Sequence, residues 1–204
     1  RKGFTSDSRI NPAFFHPGIG FGGSCFPKDV KALASVAEVM NSPLLLMRAV
    51  DEVNIRQKTV LVDRLKEHFG KIQGLKVAMW GLSFKPRTDD VREAPALHMI
   101  EKLVQNGVQV RGYDPVAGSN AQKECESKFD LCATEYEAIE GVDALIIATE
   151  WNEFKSPDFD KMKQIMKTPV IFDGRNLYEP DKMVEMGFQY YCIGRQVLAS
   201  KGNS

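Results

Sequence analysis

Cysteine is scarce in this chain and scattered, with four in 204 residues: Cys25, Cys125, Cys132 and Cys192. No two stand in CxxC spacing, which argues against a zinc ribbon or a disulfide framework and leaves reduced thiols as the expected state. No metal site is expected. Long apolar runs are missing too: none approaches the ~20 residues of a membrane span. The opening Arg1-Lys2-Gly3-Phe4-Thr5-Ser6-Asp7 lacks the layout of a signal peptide, so the expected place of work is cytoplasmic, without a membrane partner. An excess of either charge is lacking, since lysine plus arginine equals aspartate plus glutamate at 27 each. No broad field therefore draws the chain to nucleic acid. Repeats and low-complexity tracts are absent. What is present is 43% hydrophobic residues, enough for the core of one large domain, or of one domain with an appendage.

The densest chemistry lies in Gly20-Phe21-Gly22-Gly23-Ser24-Cys25-Phe26-Pro27-Lys28-Asp29. Three glycines in four positions let the backbone pass close to a ligand, and Pro27 is pre-shaped for the first turn of a following helix. Cys25 is thereby set at a helix start. Unpaired N–H groups and Lys28 one turn on suit an anionic sulfur, the setting in which a nucleophile is presented. Asp29 opposes that charge, so it either offsets the helix terminus or holds a water. A lone cysteine is more often a small buried hydrophobe, and the glycine loop is what turns the reading toward catalysis. Cys125, Cys132 and Cys192 have no such setting and read as packing residues. His16 reads as a partner for Cys25 across Pro17-Gly18 or as a surface histidine, while His68 and His98 fall on helix patterns and read as structural.

The first ten residues carry neither a starting strand nor a cap, and the chain reads as part of a longer one. After the glycine loop, Val30, Leu33, Ala34, Val36, Ala37 and Met40 recur at helical spacing, and Asn41-Ser42-Pro43 ends that helix and starts another. From Pro43 to Phe69 there is no glycine or proline, and Gly70 closes the run. That predicts one continuous helix of about 27 residues, roughly 40 Å long. Leu46, Val50, Val53, Val60, Leu61, Leu65 and Phe69 form its stripe, while Leu44, Leu45, Met47 and Val62 fall outside it. Such a helix suits a bridge between domains or a packing surface for a second subunit.

From Leu75 onward short apolar strands alternate with amphipathic helices, the pattern of a parallel sheet wrapped by crossovers. Strands are predicted at 76–80, 108–113, 131–133, 144–149, 170–173 and 190–193, with helices at 93–106, 120–128, 135–139, 159–166 and 180–185. The fold class is α/β: a long central helix followed by a doubly wound, mainly parallel, Rossmann-like sheet. Ligands of such sheets bind beyond the carboxyl ends of the strands. There the first loop, from Gly81 to Arg92, lacks the GxGxxG fingerprint but offers Phe84 to stack, with Lys85 and Arg92 to meet phosphate. Arg175 follows the fifth strand in Asp173-Gly174-Arg175-Asn176. Asp114, followed by Pro115, suits ribose hydroxyls or an Asp-Pro turn equally well.

With the segments FFHPGIGFGGSCFPKD, GLSFKPRTDDVREAP, YDP and FDGRN in this order over nearly the whole chain, the sequence resembles the C-terminal part of the UDP-glucose/GDP-mannose dehydrogenase family. The resemblance implies residues 1–41 as nucleophile loop and helix, 42–70 as a central dimerisation helix, and 71–204 as a Rossmann-like UDP-sugar-binding domain. It further implies an NAD-dependent four-electron oxidation of the sugar C6 alcohol to a carboxylate, UDP-glucose to UDP-glucuronate, with GDP-mannose as the alternative substrate. A non-catalytic nucleotide-sugar-binding and dimerisation module is the reading from another class. By resemblance Cys25 is the nucleophile and Asp29 orients the hydrolytic water. Arg9, Phe14, Phe21, Gly22, Gly23, Phe84, Lys85 and Arg175 hold the UDP-sugar, with Arg9 reaching a neighbouring subunit's substrate in a homodimer, and Lys28 and Arg92 face the NAD. The family's NAD-binding domain precedes these segments, so the chain alone is not expected to turn over.

Overall fold

The computed structural model describes residues 2–12 and 15–195. Helix α1 (Phe26–Val39), α2 (Leu45–Gln57) and α3 (Val60–Phe69) precede the α/β part. That part runs β1 (Lys76–Trp80), α4 (Pro95–Gln105), β2 (Gln109–Tyr113), α5 (Gly118–Glu124), β3 (Asp130–Leu131) and α6 (Glu135–Ile139). It continues with β4 (Ala144–Ile147), α7 (Phe159–Ile165), β5 (Val170–Asp173), α8 (Pro180–Glu185) and β6 (Gln189–Cys192). The six strands form one sheet in the order β3-β2-β1-β4-β5-β6, and every pairing is parallel. This is the order of doubly wound nucleotide-binding sheets, with the reversal between β1 and β4.

The pleat sorts the strand residues onto two faces. Val77 and Met79 of β1 join Ile146, Phe172, α3 and α4 in one core, and Ala78 and Trp80 join Leu145, Ile147, Ile171, Phe154 and the helices α6 to α8 in the other. Strands buried on both faces carry near-continuous apolar runs, which is why β4 and β5 read as Ala-Leu-Ile-Ile and Val-Ile-Phe-Asp.

The continuous central helix is not what forms. It breaks at Lys58 and Thr59, between α2 and α3. The Thr59 hydroxyl donates to the Arg56 carbonyl (3.2 Å), the acceptor that a continuous helix would offer to the Val60 N–H. Just before the break, Gln57, Asn54 and Lys58 are held by contacts outside the helix. The two segments then part ways in packing. Leu61, Val62 and Leu65 of α3 are buried in the sheet's own core, whereas Leu45 and Leu46 of α2 are 74% and 71% exposed. No helix among the described residues is long and apolar enough to cross a membrane.

Candidate active site

Cys25 stands as the N-cap of α1, its sulfur exposed, with Pro27 in the first turn. The sulfur makes no capping bond; Ser24 Oγ lies 3.7 Å from it. The glycine loop before it is threaded between α2 and the carboxyl edge of the sheet, and backbone contacts hold it there. Asn54 of α2 brackets Phe21, accepting its N–H at 2.8 Å and donating to its carbonyl at 3.1 Å. Ile19 is fully buried and rests on Gly174. The Gly23 N–H donates to the Arg92 carbonyl at 2.8 Å. A Cβ on Gly22 would sit 2.3 Å from the Glu93 carbonyl oxygen, and one on Gly23, whose φ is +91°, would sit 2.8 Å from the Phe84 ring. Both positions therefore need glycine, for close approach at the first and also for a left-handed backbone at the second.

This packing bears on several sequence expectations. The Phe84 ring lies against Gly23, with Lys85 Nζ 5.1 Å from the ring centre. Arg175 donates from Nε to the Ala148 carbonyl (2.8 Å) and from Nη2 to the Phe84 carbonyl (3.4 Å). Glu150 Oε2 is 3.1 Å from that Nε but receives no hydrogen bond, because the N–H is aimed at Ala148. Buried Asp173 aims the turn, accepting from the backbone N–H groups of Arg175 and Leu177 and from the Tyr190 hydroxyl, each at 2.7 Å. Burial raises the Asp173 carboxyl above its ordinary value.

Two cavities border the glycine loop. One of about 510 Å³ joins Gly18, Gly20, Phe21 and Arg175 to Val50, Val53 and Gln57 of α2. The other, of about 470 Å³, joins Gly23, Ser24, Lys28 and Lys31 to Arg92 and Glu93. Thus Phe21, Gly23, Arg175, Lys28 and Arg92 converge around one loop. Arg9 does not: it is 86% exposed and lies on Asp7, donating from Nε at 3.0 Å and from Nη2 at 2.6 Å. Asp29 is exposed, 3.7 Å from Lys28 Nζ, and Phe14 lies outside the described residues.

The place where a doubly wound sheet usually takes a dinucleotide is closed. At the reversal between β1 and β4, Thr149 packs on Gly81 and donates to the Ser83 carbonyl at 2.6 Å. Asp114 accepts bonds from the N–H groups of Leu82, Ser83, Val116 and Ala117, from the Ser83 hydroxyl and from Trp151 Nε1, all between 2.7 and 3.2 Å. No lone pair is left for ribose, so of the two readings of Asp114 the turn is the one that holds. Lys28 and Arg92 border the second cavity, next to the start of α1. Arg92 is steadied there by Asp90, which receives its Nε at 2.9 Å and its Nη2 at 2.8 Å. The pair with Asp90 raises the guanidinium above its ordinary value, with a smaller contribution from Cys25.

Residues 78–180 match the UDP-binding domain, and residues 1–56 the central domain, of the UDP-glucose/GDP-mannose dehydrogenase family. The chain belongs to that family. It is 48% identical over 201 residues to a UDP-glucose 6-dehydrogenase of Pseudomonas aeruginosa, which covers 96% of this chain and 44% of the relative. It is 43% identical over 195 residues to one of Rhizobium meliloti, covering 95% and 44%. Among solved structures, a UDP-glucose dehydrogenase from Pyrobaculum islandicum superposes with a TM-score of 0.80 at 30% identity, over 93% of this chain and 41% of that one. The chain thus spans less than half the length of these relatives.

Sequence reasoning missed Asn54, Lys58 and Glu93. Asn54 and Lys58 are buried polar residues four apart on a helix, a spacing that puts them on one face and was there to be seen. Glu93 has φ +54° and binds Lys31 of α1 at 2.7 Å and buried Lys58 at 2.9 Å. These two lysines pull its carboxyl from 4.5 down to about 2. A carboxyl depressed in the fold contributes stability above its unfolded value and loses it as pH falls through the folded one. Urea unfolding between pH 5 and 2.5 should therefore show a steeper loss for the natural chain than for Glu93→Gln, by about 1 to 2 kcal/mol after allowing for solvent access. Parallel curves would contradict the assignment.

Proposed function

We propose that the chain supplies the nucleophile and the nucleotide-sugar site of an NAD-dependent UDP-glucose 6-dehydrogenase. The observation that carries this reading is the contact of two motifs: the loop that presents Cys25 is packed and hydrogen-bonded onto the sheet-edge loops that carry Phe84, Arg92 and Arg175. A sugar diphosphate seated at that edge, against Arg175 and the floor of Phe21, Val50 and Val53, brings its terminal sugar toward an exposed sulfur. Lys85, its amine 5.1 Å from the Phe84 ring centre, supplies a second cation for the diphosphate.

The second of the two oxidations is what requires the thiol. Cys25 thiolate adds to the C6 aldehyde, forming a carbon–sulfur bond, and the resulting thiohemiacetal can lose hydride where a bare aldehyde does so poorly. The bound nicotinamide cofactor supplies the hydride acceptor for both steps. The thioester left on Cys25 would be cleaved by water, with Asp29, one turn along α1, to orient it and take its proton, and this returns the thiol and releases the C6 carboxylate. Lys28 and Arg92, which line one cavity, would be the cations that meet the cofactor. The exposed apolar start of α2, with Leu45 and Leu46 open to solvent, suits the dimer in which Arg9 reaches the neighbouring site.

Alkylation tests this directly. Iodoacetamide at neutral pH should modify Cys25 well ahead of the buried Cys125, Cys132 and Cys192, and saturating UDP-glucose should slow the reaction at least tenfold on the order expected for a covered thiol. Calorimetric titration should rank UDP-glucose and UDP-glucuronate above GDP-mannose. Equal labelling with and without any nucleotide sugar would remove the proposal, and tighter binding of GDP-mannose would replace the substrate.

A further inference from the structure

The helix that carries Cys25 buries few of its side chains, although Arg48 of α2 holds Glu38 near its far end at 3.0 Å. Of its fourteen residues only Pro27, Val30 and Ala37 are buried, and Phe26, Leu33, Val36 and Val39 are exposed. Its link to the sheet runs through the segment Arg92-Glu93. The Arg92 carbonyl takes the Gly23 N–H, and the Glu93 carboxylate takes Lys31, two turns along α1 from the sulfur. The same carboxylate takes Lys58, whose side chain is only 5% exposed and which sits in the break between α2 and α3. His98 Nε2 of α4 closes the cluster at 3.2 Å from Lys58 Nζ and 3.5 Å from Glu93 Oε2. Asp51 of α2 adds a more distant negative charge toward Lys31. One carboxylate therefore ties together the nucleophile helix, the break in the central helix and the loop after β1.

We propose that Glu93, through Lys31, is a positioning residue that holds Cys25 in register with the nucleotide-sugar site. Three features argue for a clamp rather than an ordinary surface pair. Glu93 is held in a left-handed backbone conformation, uncommon for a residue with a side chain. Its backbone carbonyl is the atom against which Gly22 is fitted. Its two lysines come from different elements, so their attraction resists relative motion of α1 and the sheet edge rather than stabilising one helix. Without the clamp, the sugar site on the sheet still forms, but the sulfur is no longer held over it.

The inference rests on the reading of Cys25 and the sheet edge as one site, and the experiment separates the two. Iodoacetamide labelling of Cys25 is measured with and without saturating UDP-glucose, and binding of UDP-glucose is measured by calorimetry, for the natural chain, Lys31→Met and Glu93→Gln. Lys31→Met cuts the arm to α1 while leaving buried Lys58 paired, so it retains the fold even if Glu93→Gln does not. The expected result for Lys31→Met is an affinity within about twofold of the natural chain, with the protection of Cys25 reduced about threefold or more, the range of one ion pair. Lys31→Arg should restore the protection. Unchanged protection in Lys31→Met overturns the clamp alone. A parallel loss of affinity and protection also overturns it, because that outcome marks a general structural role. Absence of protection in the natural chain sinks the functional reading and the clamp with it.

Discussion

Replacing Asp114 by alanine should lower the unfolding free energy by about 4 kcal/mol or more, the largest single-residue loss expected outside the apolar core. The carboxylate is 6% exposed and accepts from four backbone N–H groups, a hydroxyl and an indole. Bonds to a charged acceptor contribute about 1.5 to 3 kcal/mol each when taken singly, and they do not add fully within one network. More decisive is what remains after truncation: the backbone donors of Leu82, Ser83 and Ala117 buried with no acceptor. Asparagine should rescue less than half of the loss, because its amide brings a donor into a ring of donors. Urea denaturation of the two variants checks this. A loss below about 1 kcal/mol for alanine would mean that the loops after β1 and β4 are held by other contacts, and would reopen Asp114 as a ligand group.

Arg175→Ala should weaken UDP-glucose binding about 30- to 100-fold, or about 2 to 3 kcal/mol, with a much smaller effect on stability. The guanidinium is 16% exposed, aimed by the Asp173 turn and braced by the carbonyls of Ala148 and Phe84. A braced cation at a cavity wall meets a diphosphate with little loss of side-chain freedom, so its removal falls mainly on affinity. Arg175→Lys keeps the charge without the planar fork and should recover less than tenfold on the order set by bidentate geometry. Calorimetry gives the affinities, and urea unfolding controls for the turn. An affinity within threefold of the natural chain would place the diphosphate elsewhere on the edge.

Much of the fold was legible because each element announced itself locally. β1 and β5 occupy the residues that alternation and apolar runs predicted, as do α6 and α8. The strand expected at 131–133 forms instead at Asp130–Leu131, sharing only Leu131, and the 144–149 strand shortened to Ala144–Ile147. In the second case Ala148 still donates its N–H to Trp80 of β1, but Thr149 turns away to the Ser83 carbonyl at the sheet edge, a tertiary demand that apolar character does not encode. The central helix shows the same limit. Its stripe is helical throughout, yet Thr59 diverts the Arg56 carbonyl and the helix parts there. Cys25 was legible from its glycines. The contact of Phe84 with Gly23 was not legible, because nothing near residue 84 reveals that Gly23 will lie against the ring.

The sequence alone determined the order of elements, the parallel sheet and a thiol at a helix start, since each follows from the spacing of neighbouring residues: period two, period 3.6, or a glycine run before a proline. Only the tertiary structure decided that the glycine loop rests on the sheet edge, that Asp114 is filled by protein donors, and that Glu93 joins Lys31 to Lys58. Those facts depend on which distant groups arrive at hydrogen-bonding distance once the core has packed, and pairings across 62 or 35 positions, as for Glu93, leave no trace in local spacing.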